Sequence, residues 1–220
     1  MCRSCGVMEG LLRCKDCFGQ HLLCRNCIIT SHNLLPFHRL ERWDGCCFQS
    51  TSLFDQGFIL NLGHGGGQCP LNESYTGAWQ DFPDDGSPVD EPNIMEDDGR
   101  SFDVLVLTDI AGIFTHRVSW CRCNGPPEKP MELFRQQIFP ASFNRVKSGF
   151  TFRVLDHFYM DVMECKTAAT SFFQKLQRLT NNCFPKKVHV SAQSVYYSIC
   201  SFNIMAEPIP RAYACVAPVA

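Results

Sequence analysis

Eight side chains in the first 38 residues have both the chemistry and the spacing to hold metal: Cys2 and Cys5, Cys14 and Cys17, Cys24 and Cys27, then His32 and His38. A C-x-x-C turn aims two thiolates at one ion with little chain strain, and zinc takes four thiolate or imidazole ligands in a tetrahedron. Four pairs therefore suit two ions. Their order suggests interleaving, with Cys2, Cys5, Cys24 and Cys27 on one zinc and Cys14, Cys17, His32 and His38 on the other, a cross-brace. Pairing in sequence order is the competing assignment, and it would leave two independent fingers with almost no shared core. His21, beside Leu22 and Leu23, reads as a packing or surface residue. Closed four-ligand sites leave no position for an activated water, so the metal is expected to be structural and the protein not an enzyme. A segment this short buries too little apolar surface to fold alone, so each site would supply on the order of 10 kcal/mol of folding free energy.

A second set lies further along. His64 and Cys69 sit in a glycine-rich loop after the apolar run GFILNL, and Cys121 and Cys123 close the alternating segment IFTHRVSWCRC. Residues i and i+2 of an extended strand face the same way, so the C-x-C directs both thiols together. If the loop approaches the hairpin, His64, Cys69, Cys121 and Cys123 complete a third zinc site. The competing reading is a pair of half-buried strand cysteines and a plain glycine turn, with His116 as a rival ligand. Cys46 and Cys47 are adjacent and point apart in extended chain, one buried and one exposed. HGGG at 64–67 lacks the surrounding frame of a phosphate loop or of a hydrolase nucleophile elbow.

These side chains must be positioned by something. GFILNL, DVLVL at 103–107 and IFTHRVSW read as strands of a short antiparallel sheet. Prolines 126, 127 and 130 mark a boundary, and MELFRQQIF reads as a short helix ending before Pro140. Two clearer helices follow, one with Phe152, Leu155, Tyr159, Val162 and Met163 at helical spacing, the other with Phe172, Leu176 and Leu179. They are expected to pair as a hairpin. The fold class expected is thus a small, zinc-stabilised α+β protein. It divides into a two-zinc finger at 1–45, a β and cysteine-cluster region at 46–125 with an acidic loop at 70–102, a helical region at 126–182 and an irregular tail at 183–220.

Composition narrows the function. Fifteen cysteines in 220 residues would suit a disulfide scaffold or a metal protein, but MCRSCGVMEG has no basic stretch followed by an apolar run. Reduced thiols are expected, and no stretch nears the roughly 20 apolar residues that cross a bilayer. Neither a membrane nor a small-molecule substrate is implied. The net charge of -2 hides three blocks: six bases against four acids in 1–50, nine acids against Arg100 in 81–103, and twelve bases against five acids in 117–187. In the last block Arg145, Lys147, Arg153, Lys166, Lys175 and Arg178 are either a solvated face or contacts to DNA phosphates.

Taken together, CRSC, CKDCFGQHLLCRNC, HNLLPFHRLERW, LGHGGGQCP, GIFTHRVSWCRC, IFPASFNRVKSGFTFRVLDHF and KTAATSFFQKLQRLTNN resemble the CxC-like cysteine cluster domain associated with the KDZ (Kyakuja, Dileera, Zisupton) transposases of fungi, over residues 2 to about 182. The amino-terminal finger is similar to a B-box. The resemblance implies an accessory zinc domain in DNA transposition, nuclear in location or otherwise cytoplasmic, next to an RNase H-like catalytic region that this sequence lacks. It carries the finger ligands onto Cys2, Cys5, Cys14, Cys17, Cys24, Cys27, His32 and His38, the cluster onto Cys69, Cys121 and Cys123, and its LGH element onto His64. It fades after Asn182, as in a truncated or decayed element. A zinc-dependent protein-interaction module is the alternative function, with a protein rather than DNA as partner.

Overall fold

The computed structural model describes residues 1–71, 102–123, 125–182 and 184–185. At the amino end a three-stranded antiparallel sheet carries the finger: β1 (Leu12–Cys14), then α1 (Arg25–Ser31), then β2 (Leu40–Trp43) and β3 (Phe48–Thr51) in the order β1-β2-β3. The β2–β3 hairpin is closed by Asp44, whose Oδ1 accepts the backbone N–H groups of Cys46 at 2.8 Å and Cys47 at 2.7 Å. Those two bonds hold the Asp44 carboxyl well below the usual carboxylate range. Both cysteines are exposed. Neither is the buried one expected of an extended pair, because a hairpin turn, unlike a strand, has no buried face to offer.

The larger sheet begins with β4 (Ile59–Asn61), which leads into one 3-10 turn at His64–Gly66. β5 (Phe102–Asp109) and β6 (Gly112–Ser119) form a hairpin through Ile110 and Ala111. After α2 (Lys129–Arg135) come β7 (Ile138–Pro140) and β8 (Ser148–Thr151). The strand order is β4-β6-β5-β8-β7. β4 runs parallel to β6 and β5 parallel to β8, so the sheet is mixed and not the short antiparallel one expected. Parallel pairing needs long connections, which periodicity within each strand does not reveal. Likewise the stretch 126–182 is not helical throughout, because it contributes β7 and β8.

α3 (Phe152–Cys165) starts directly at the end of β8. Its N-cap Thr151 accepts the N–H of Val154 at 3.2 Å and donates to Asp109 Oδ1 at 2.7 Å, while Arg153 reaches Asp109 Oδ2 at 2.6 Å. One buried carboxylate thus ties the β5–β6 turn to the start of the helix. Lys166, left-handed at φ 54°, ends α3, and α4 (Ala169–Thr180) follows. The two helices meet as expected, through Phe158 against Phe172 at 4.9 Å and Lys175 against Asp161 at 3.0 Å.

The sheet separates two apolar layers. One holds Leu105, Leu107, Val118, Trp120 and Leu133 together with Leu12, Ile28 and Leu40 of the finger. The other holds Ile113, Phe139 and Phe150 beneath Val154, Leu155, Phe158, Phe172, Phe173 and Leu176 of the two helices. The helix faces differ a little from the expected stripes. Tyr159 and Met163 are only half-buried and Leu179 is exposed, because both helices lie on the sheet as well as on each other and so turn Val154, Phe158 and Phe173 inward. The described residues hold only the ends of the expected acidic loop and of the tail; residues 72–101, 183 and 186–220 lie outside them.

Candidate metal centres

Twelve side chains converge in three groups of four: Cys2, Cys5, Cys24 and Cys27; Cys14, Cys17, His32 and His38; and His64, Cys69, Cys121 and Cys123. In each group all ligand atoms lie within 4.8 Å of one another. The finger is interleaved, and α1 is the reason. Cys24 precedes its first turn and Cys27 lies in that turn, while His32 is its C-cap, so one short helix spans both centres. β1 does the same from the other side, ending at Cys14 while Leu12 bridges to Leu23 beside Cys24. Sequential pairing is not what forms. His21 is exposed and belongs to no group.

The spacings can be tested against an ion. For metal–sulfur bonds of about 2.3 Å and metal–nitrogen bonds of about 2.05 Å, the edges of a tetrahedron are about 3.8 Å between sulfurs and about 3.5 Å from sulfur to nitrogen. Cys5 and Cys24 lie 3.8 Å apart and Cys69 and Cys123 3.7 Å. The sulfur to nitrogen separations are 3.4 Å for Cys14 to His38, Cys17 to His32 and Cys17 to His38. These distances are far beyond the roughly 2.05 Å of a disulfide and fit a bound dication at each centre. The cysteines are free thiols.

The backbone prepares the ligands. Within C-x-x-C turns the N–H groups of Asp16 and Cys17 point at Cys14 Sγ, at 3.4 and 3.3 Å. The Cys5 N–H is the main cause that pulls the Cys2 thiol from 9.0 down to about 6, and the Arg122 N–H does the same for Cys69. The Ser4 hydroxyl lowers Cys27, but the sulfur of Cys24, burial and the other two thiols outweigh it and push Cys27 up to about 12. Cys123 is raised to about 11, first by the Cys69 sulfur. The turn N–H groups thus favour the thiolate, the form that binds metal, at Cys2 and Cys69. His32 is oriented too. Its Nδ1 lies 2.8 Å from the Ile28 carbonyl, which can only accept, so the proton is on Nδ1 and Nε2 offers its lone pair to the centre.

The third group is assembled from the two ends of β4 and β6. These strands run parallel, so both end at the same edge, delivering the His64 loop beside the Cys121 segment. His64 Nε2 lies 3.4 Å from both Cys121 Sγ and Cys123 Sγ. Gly63 makes room: a Cβ there would lie 2.8 Å from Cys121 Cβ. Glu132 of α2, buried, accepts the N–H of Cys121 at 3.0 Å and fixes the C-x-C against the helix. Neither residue stands out in the sequence. A lone glutamate in MELFRQQIF carries no local signal, whereas Gly63 was visible only as one of several glycines.

His116 is not a ligand. It is buried among the rings of Phe37, Phe58 and Phe114, and neither ring nitrogen has a hydrogen-bond partner among the described residues. Burial lowers its pKa from 6.5 to about 4, opposed only weakly by the Pro36 carbonyl near the ring. The bases of the carboxyl-terminal block divide. Arg153 pairs with Asp109 and Lys175 with Asp161, while Lys175 and Arg178 line a cleft against the finger. No helix among the described residues is long and apolar enough to cross a membrane.

Residues 92–183 match the model of the CxC2 like cysteine cluster associated with KDZ transposases. That span contains the β5–β6 hairpin, Cys121 and Cys123, and everything to the end of α4. It ends where the resemblance on sequence ended, but leaves His64, Cys69 and the finger outside. No match was found among curated proteins or solved structures.

Proposed function

We propose that the protein, whose residues 92–183 match a cysteine cluster associated with KDZ transposases, is a non-catalytic zinc-binding accessory module of KDZ-type transposition, with three zinc ions and contacts to the DNA backbone. The observation that carries this is the completion of the C-x-C pair, inside the matched span, by His64 and Cys69 from outside it. The cysteine cluster and the B-box-like finger then work as one unit. Four side chains at every centre leave no open coordination position, which supports a structural role over hydrolysis. Thiolate and imidazole in tetrahedral sets favour zinc. A nuclear location and a fungal source go with this reading. Native mass spectrometry of freshly reduced protein, before and after acid release, tests the metal count: three zincs are expected, two would confine metal to the finger, and none in folded protein would overturn the reading. Binding of labelled duplex DNA that weakens with salt is expected, and no binding at low salt rejects the DNA role.

The second reading, a zinc-dependent protein-interaction module, rests on the finger's apolar surface. Phe18, Val7 and Leu34 of the finger are exposed by 103%, 76% and 74% and would offer apolar contacts to a partner. A stable, salt-indifferent dimer by light scattering, with no DNA binding, would favour it.

A further inference from the structure

Lys15 and Arg39 lie more than a hundred residues from Lys175 and Arg178, yet they share one concave surface. A cleft of about 700 Å3 opens between the finger and the carboxyl end of α4. Lys15, Arg39 and Ser50 line it from the finger, and Lys175, Arg178 and Asn182 line it from the helix, with no acidic side chain of the described residues on its wall. We propose that this cleft is the site that grips a phosphodiester ridge of duplex DNA, a proposal that rests on the DNA-contacting role above and names its surface.

The walls are built for display of charge. Lys15 lies inside the Cys14–Cys17 turn and Arg39 directly follows His38, so both are carried by the chain turns of the second metal centre. The Lys15 N–H bonds the Arg39 carbonyl at 2.9 Å, which sets the two side by side. Asp16 accepts the backbone N–H and the guanidinium of Arg39. Glu41 pairs with the Lys15 ammonium at 3.3 Å, and Asp161 with that of Lys175 at 3.0 Å. These carboxylates orient the bases without standing in the cleft. Arg178 has no acidic partner among the described residues, and the last turn of a helix, where carbonyls point outward, favours a cation. Amide and hydroxyl groups of Asn182 and Ser50 fill the space between with donors suited to phosphate oxygens.

The test is fluorescence anisotropy of a labelled duplex with the zinc-loaded full chain across a salt series. The variants are Lys175→Gln with Arg178→Gln, and separately Lys15→Gln. The control is Arg145→Gln with Lys147→Gln, which removes the same charge from exposed positions off the cleft. The expected result is roughly tenfold weaker binding for the α4 pair, with the slope of log K against log salt shallower by about two, and about one for Lys15→Gln. The control should retain the wild-type slope to within about half a unit. Wild-type binding that falls equally in the cleft variants and the control overturns the cleft and leaves the DNA role standing. Failure of the wild type to bind at low salt overturns both.

Discussion

Glu132 is the residue whose removal should separate the third centre from the other two. Its buried carboxylate holds the Cys121 N–H, so Glu132→Ala frees the C-x-C without touching a ligand. Groups that orient metal ligands typically cost roughly tenfold to a hundredfold in affinity when lost. The third metal should therefore leave first in a chelator titration, with Glu132→Gln restoring much of the affinity and the finger metals unchanged in both. His116 gives a second prediction. Its ring is neutral in the fold and has a depressed pKa of about 4, against 6.5 when exposed. The folded state therefore binds fewer protons between those values, so stability is full above pH 6.5 and falls as the pH drops towards 4. The loss amounts to about 3 kcal/mol. Urea denaturation of the loaded protein at pH 7 and pH 5 should show that dependence, and His116→Phe should lessen it. An identical pH dependence in the variant would dismiss the idea. Metal pairs and their grouping were legible in the sequence because ligand chemistry is written locally in C-x-x-C and C-x-C. His116 was not, since an aromatic enclosure is a property of packing.

Elements were legible in proportion to how local their causes are. The β5–β6 hairpin and the two long helices follow from alternation and helical periodicity, and each stands close to where the pattern puts it. GFILNL reads as a strand and so locates β4, though not its parallel pairing with β6, whereas β7 and β8, three and four residues long, are too short to show a period. Yet the parallel β4–β6 pair is what brings the His64 loop to Cys121. At that junction Gly63→Ala introduces a methyl group 2.8 Å from Cys121 Cβ, and both atoms stand on backbone that must shift. The expected cost at the third centre is about 2 kcal/mol, or roughly thirtyfold in affinity, with the finger retained. Metal counting by native mass spectrometry under limiting zinc reads it directly, and full occupancy at wild-type affinity would refute the packing argument.

For the whole molecule, the decisive fact is that the finger has no core of its own. Leu12, Ile28 and Leu40 belong to the same apolar layer as Leu105, Leu107 and Val118 of the large sheet, and Arg25 of α1 bonds the Gln56 carbonyl at 2.8 Å. Taking metal from the finger should thus undo one face of the sheet as well. Chelation is expected to broaden methyl resonances of Leu107 and Val118 together with those of Ile28, in one transition. Finger signals that vanish while sheet signals persist would mean that the two fold apart. The division into separate segments suggested by composition gave no hint of this shared layer, because it arises between residues far apart in the chain.

The three centres also differ in how many sulfurs they contain: four, two and three. Two thiolates with two neutral imidazoles cancel a dication, three leave one negative charge over, and four leave two. From a state with all nine thiols protonated, loading three cations releases nine protons for six positive charges gained and leaves the protein more acidic; at neutral pH Cys2 and Cys69, lowered to about 6, are largely thiolate already and the change is correspondingly smaller. From a net charge of -2 with thiols protonated, metal uptake should move the protein towards the anode in native electrophoresis and lower its isoelectric point. The centre left neutral is the one whose turns carry Lys15 and Arg39, so the excess negative charge gathers at the other two, and the field over the cleft is not cancelled by the metal site beneath it.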